Sequence, residues 1–259
     1  MIFPKERRLI FRVIEVIFFT ILLILGIVVY YIFHSPTTVN INEFQKEGNY
    51  SKETLLLFSE LAFPYDRVRK WDENIKVEIV NLDKLDNFSI NEIDSIIRIL
   101  SPLIYPIKIY KVSENGNLKV YRKIDEIVVH GDTIKNTQGF CYIPPLFKRL
   151  SWNIRYAEVY DIWYNDCIFH EILHAIGLQH TAKQYPFHLN MSDYHIYYSL
   201  EDEEKYNTPL YIPEEEKLII KMLYSPNIKA GLRKEEFMKK MKLSDNDSTV
   251  FNKKLVQQE

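Results

Sequence analysis

The sequence predicts an α+β fold, one globular domain carried behind a single N-terminal transmembrane helix. Three observations predict it. Residues 13–33 are almost wholly apolar. Downstream, short segments that alternate apolar and polar residues are interleaved with segments of helical period. Finally, 47% of the 259 residues are hydrophobic, enough for one real core in a chain of this length. The 33 Lys and Arg against 35 Asp and Glu leave a net charge of −2 and form no basic stripe. Nothing in the charge therefore favours a nucleic-acid partner.

The N-terminal segment is broken only by Glu15, Thr20 and Gly26. At about 1.5 Å rise per residue its length crosses a hydrocarbon core of roughly 30 Å. Lys5, Arg7, Arg8 and Arg12 precede it, and the next cationic residue is Lys46. The positive-inside rule then puts residues 1–12 in the cytoplasm, residues 13–33 across the cell (inner or plasma) membrane and the rest outside, as a single-pass protein. The exit, Tyr30-Tyr31-Ile32-Phe33-His34, is bulky throughout and offers no small-x-small cleavage site. An uncleaved signal-anchor is expected in place of a removable leader.

Residues 34–70 read as a juxtamembrane linker with a short helix, Ser51 serving as its N-cap. The globular domain is expected over 71–226. The Ile75-Lys76-Val77-Glu78-Ile79-Val80 alternation predicts a strand with one buried face. Ser89 is expected to cap a helix from Ile90 to Leu100, stopped by Pro102. Residues 107–112 form a second predicted strand, ended by Glu114-Asn115-Gly116-Asn117, and 118–129 one or two more. A short strand over 137–143 is followed by Pro144-Pro145, then a strand over 155–160 and a helix from about 162 to 176. Pro213 and Glu214 to Glu216 open a later helix ending near Tyr224, with the acids at the positive end of its dipole. Residues 227–259 hold a last helix and a polar tail.

The chemistry is concentrated in His170-Glu171-Ile172-Leu173-His174-Ala175-Ile176-Gly177-Leu178-Gln179-His180. This is H-E-x-x-H-x-x-G-x-x-H, and it uses three of only seven histidines and one of only seven glycines. His170 and His174, four apart on a helix, project from one face and can share a metal. Gly177 can take the positive φ that ends the helix and lets the chain return with His180. Glu171 lies beside the first ligand, placed as general base toward a water activated by the metal. Three nitrogen ligands make an open, catalytic type of site for one Zn²⁺ ion.

The motif resembles that of the metzincin clan of zinc metallopeptidases. The strand–helix–strand order before it is similar to the clan's N-terminal subdomain. The resemblance implies a metzincin-like zincin domain: a twisted mixed β-sheet packed on two long helices, with a small, mostly helical C-terminal part. It implies a methionine turn under the metal, for which Met191 in Leu189-Asn190-Met191-Ser192-Asp193 is the candidate. Some members carry a tyrosine two residues beyond that methionine. Here the position is Asp193 and the tyrosine is Tyr194, a candidate substrate contact. The strand over 137–143 occupies the place of the cleft-edge strand, which makes Gly139 and Phe140 candidates to pair with an extended substrate. His188 and His195, flanking Met191, are expected not to ligate, standing either just outside the ligand set or at the surface.

Cys141 and Cys167 lie on the predicted outer side, where a disulfide is permitted; free thiols are the equal alternative. The functional expectation is a membrane-anchored zinc endopeptidase acting on a peptide or protein substrate. Two alternatives stand beside it: a site completed by a downstream acid such as Glu203, and a tethered zinc-binding module without proteolytic activity.

Overall fold

The structure, a computed structural model, describes residues 4–34, 43–44, 47–48, 50–129, 131–135, 137, 139–145, 151–162, 167–181, 190–191 and 212–244. Helix α1 is Pro4–His34, and within it Phe11–Tyr30 is long and apolar enough to cross a membrane. Helix α2 is Lys52–Leu61, and the Ser51 side chain accepts from the Thr54 N–H at its start as expected. Strands β1 (Lys70–Trp71) and β2 (Ile75–Ile79) lead to helix α3, Asn87–Leu100. The strands that follow are β3 (Ile109–Val112), β4 (Leu118–Ile124), β5 (Ile127–Val129), β6 (Asp132–Ile134), β7 (Gly139–Tyr142), β8 (Asn153–Ile154) and β9 (Ala157–Ile162). Helices α4 (Ile168–Ala175), α5 (Glu214–Tyr224) and α6 (Lys234–Lys240) complete the described elements.

The main sheet is mixed, in the order β3-β2-β4-β9-β7. All its pairs are parallel except β7 on β9, which runs antiparallel with Gly139 opposite Asp161 and Phe140 opposite Tyr160. Successive residues face opposite layers, as the pleat requires. Val120 and Val159 join the main core with Ile93 and Ile96 of α3 and Ile172 and Leu173 of α4. Tyr121 and Tyr160 face the other way, stacked with centroids 4.7 Å apart, under the β5–β6 hairpin. Residues ahead of Trp71 belong to the same main core: Phe44, Leu56, Leu57, Phe58 and Leu61 are all buried in it.

Three boundaries differ from those read in the sequence. The α3 cap is Asp86, whose carboxylate accepts from the Ser89 N–H at 2.7 Å, while Ser89 itself is buried inside the first turn. Asp and Ser cap about equally well, so burial decides: Ser89 is taken into the core, and Asp86 is left at the extended cap position. Strand β9 runs on to Ile162, held by Gly139 and Ile124, so α4 begins only at Ile168 and is eight residues long. The expected second long helix is therefore short. Pro213 sits just outside α5 as its N-cap instead of in its first turn.

Candidate metal centre

Helix α4 ends in a turn built around Gly177, which has φ of 110°. The Gly177 N–H donates to His174 O at 2.9 Å, and the Leu178 N–H to Leu173 O at 3.1 Å. This is the paired Schellman arrangement, which needs a left-handed residue between the two bonds. Space makes the same demand, since a Cβ at 177 would stand 2.1 Å from Arg69 O. The remaining end carbonyls are taken by side chains: the Trp71 indole N–H donates to Ala175 O at 2.8 Å and the Tyr224 hydroxyl to Ile176 O at 2.9 Å. Gly177→Ala is expected to cost at least about 2 kcal/mol, from the left-handed backbone and the clash together. Thermal unfolding of the metal-free protein checks this; an unchanged midpoint would contradict it.

The chain then returns and is clasped to α2. Gln179 donates its backbone N–H to Leu61 O at 2.8 Å and its side-chain amide to Glu60 O at 2.6 Å. That clasp delivers His180, whose Nε2 lies 3.0 Å from His174 Nε2 and 2.8 Å from His170 Nε2. The three rings form a group able to hold a metal ion. A tetrahedral ion with nitrogens at 2.0–2.1 Å needs ligand atoms about 3.3 Å apart; the two separations at His180 fall a few tenths of an ångström short of that, and all three ligand atoms lie within 4.8 Å of one another.

The ring tautomers follow from the partners on the far side. His170 Nδ1 lies 2.8 Å from Asn190 O, and His174 Nδ1 lies 3.0 Å from Leu178 O. A carbonyl only accepts, so each Nδ1 carries the proton and each Nε2 turns a lone pair to the centre. Such outer bonds orient ligand rings and raise their basicity.

Asn190 is itself held from α5. The Glu216 carboxylate accepts from the Asn190 side-chain amide at 2.7 Å and from the Met191 N–H at 2.9 Å. Met191 O accepts from the Thr181 N–H at 2.9 Å, which ties the turn to the residue after His180. Met191 is fully buried in the main core. Burial pushes the Glu216 carboxyl up to about 7, against the pull of these two donors. Sequence reading assigns Glu216 to the dipole-favouring first turn of α5 and gives it no further role. A signal to the contrary is present, because Glu216, Ile219, Ile220 and Leu223 recur at helical spacing and all four are buried.

Glu171 is 8% exposed and lines the cleft with the three histidines. Burial pushes its carboxyl up to about 7, and the nearby Asp161 charge adds to that. Asp161 belongs to a buried ionic group in which the Arg122 guanidinium pairs with both Glu92 and Asp161 and donates to Ser89 O at 3.0 Å. These bonds join α3, β4 and β9.

The cleft, about 750 Å³, is edged by β7 and floored by α4 and the Gly177 turn. Gly139 and Phe140 both line it. A Cβ at Gly139 would meet Cys167 Sγ at 2.4 Å and Glu171 Oε1 at 2.8 Å, so glycine is what lets the edge strand approach the helix. Cys141 and Cys167 are both free thiols, and Cys167 Sγ donates to Asp161 Oδ1 at 3.2 Å instead of bridging. Burial, then the neighbouring carboxylates, push both thiols up, away from thiolate chemistry. Tyr194, His188, His195 and Glu203 lie outside the described residues. No protein-family model and no curated protein matches this chain.

Proposed function

We propose that the chain is a membrane-anchored, zinc-dependent endopeptidase of the metzincin type. The observation that carries the reading is the convergence of three Nε2 atoms, two of them on rings with fixed tautomers, beside a buried carboxylate in a cleft edged by β7, the last strand of the sheet among the described residues. His170, His174 and His180 would hold the ion. A zinc ion so held polarises a carbonyl and brings the pKa of water to about neutrality. Glu171 takes a proton from the attacking water and returns it to the leaving amine. The outer edge of β7 offers backbone groups to an extended peptide, with Gly139 and Phe140 nearest the helix. Met191 supports the site from the core, and α1 anchors the protein, its basic end cytoplasmic and the cleft outside.

The test is zinc analysis and a peptide-library cleavage assay on the full chain in detergent micelles. One zinc per chain and cleavage sensitive to chelation are expected. His180→Ala should lose zinc affinity by about 10²-fold or more, as one of three protein ligands is removed. Zinc binding that survives this change would point to an acid such as Glu203. Stoichiometric zinc with no peptide cut would leave a tethered zinc-binding module.

A further inference from the structure

Arg69 stands on the wall of the same cleft with no acidic partner among the described residues. The residue is 6% exposed and lines the cavity with Tyr65, Cys141 and Gly177. Its Nη2 donates to Pro144 O at 3.1 Å, just beyond β7, while its Nε is buried with no hydrogen-bond partner among the described residues. Burial works against its charge first, and the side chains that favour the charge are Tyr65 and Cys141, neither of which is a carboxylate. A guanidinium cannot shed its charge at any ordinary pH, so burying it beside neutral groups is costly unless something else answers it. Glu171, a carboxylate of the same cleft, lies against Gly139 at the start of β7, whereas the Arg69 guanidinium reaches Pro144 beyond its end.

A second, independent feature lies on the same wall. Tyr65 is 82% exposed with φ of 57°, and Asp66 follows with φ of 60°. Two successive non-glycine residues in the left-handed region are uncommon, and an aromatic so held at a cavity rim is a presented group. Its phenol and the guanidinium behind it are hydrogen-bond donors of the kind that a carboxylate needs.

We propose that Arg69, with Tyr65 at the rim, forms a carboxylate-binding subsite that selects substrates bearing an acidic side chain or a chain terminus in the cleft. The subsite rests on the endopeptidase reading. Its test uses the zinc-loaded full chain in micelles and peptide pairs that differ only by Glu against Gln, each made with a free and an amidated C-terminus. A charge-assisted bond to a buried guanidinium predicts a Glu-over-Gln preference in kcat/KM of roughly 10- to 100-fold. A preference that follows the free terminus instead assigns the subsite to the chain end. In Arg69→Met the ratio should fall to about one, and in Arg69→Lys it should survive in part. A wild-type ratio near one for both pairs overturns the proposal, whatever the variants do. So does a preference that persists in Arg69→Met. Fluorescence anisotropy of the same labelled peptides separates the two readings: preferential binding of the carboxylate peptide without cleavage keeps the subsite and removes the peptidase.

Discussion

Glu171→Gln is expected to lower peptide hydrolysis by about 10²- to 10⁴-fold while zinc stays bound at one ion per chain. Glu171 is not one of the three convergent nitrogens, so its loss removes the proton carrier and spares the donor set. Glutamine keeps the volume of a side chain that is packed against Gly139 and buried in the cleft wall, so the fold is not the casualty. Matched zinc content and unfolding midpoints beside a collapsed kcat would be the signature. Full hydrolysis by this variant would sink the mechanism. The pH profile offers a further check. Burial and Asp161 push the metal-free carboxyl up to about 7, and a cation at the histidines pulls it back down. A general base works deprotonated, so activity should rise with pH through an acid limb lying below 7.

Glu216→Ala should damage the same centre from a residue that touches no ligand. It strips the acceptor from the buried Met191 N–H and from the half-buried Asn190 amide. An orphaned buried donor such as the Met191 N–H costs about 1–3 kcal/mol, so the metal-free protein should lose stability of that order. Asn190 O then no longer holds His170 firmly, and zinc affinity should fall by about tenfold or more. Chelator competition measures this, and Glu216→Gln, which can still accept from Met191, should recover part of it. An Ala variant with wild-type zinc affinity would show that Glu216 is only a packing residue. Its raised pKa adds a pH signature. Between about 4.5 and 7 the folded chain holds a proton that the unfolded chain has released. The associated stability is whole below 4.5 and is lost as pH rises through 7, a slope that Glu216→Gln should flatten.

Much of the site is legible in the amino-acid sequence, because its logic is local. Residues 170–180 are contiguous, and helix periodicity plus one glycine are enough to bring three histidines to one face and back. The strand alternations at 75–80 and 118–129 are equally readable, since a half-buried strand repeats every two residues. Asp86 escapes notice as the α3 cap because Ser89 is also a cap former. The choice between them depends on which residue the core buries, and that is not a property of the local sequence.

The remainder of the site is non-local. Gln179 is clasped by α2, more than a hundred residues upstream; Asn190 answers to Glu216 in α5; Trp71 braces the turn after His174. Each of these side chains looks ordinary in its own window and acquires its role from a partner far along the chain.

The sequence by itself determined that three histidines at metal-ligand spacing follow an alternating α+β domain with an apolar, membrane-length helix before it. Spacing and hydropathy are written into neighbouring residues. Only the tertiary structure decided that the three Nε2 atoms meet and that backbone carbonyls set the tautomers of His170 and His174. It also decided that one buried carboxylate holds the turn beneath them and that a buried guanidinium faces the cleft. Those facts depend on which distant groups burial forces together, and on which of them it leaves for a ligand to answer.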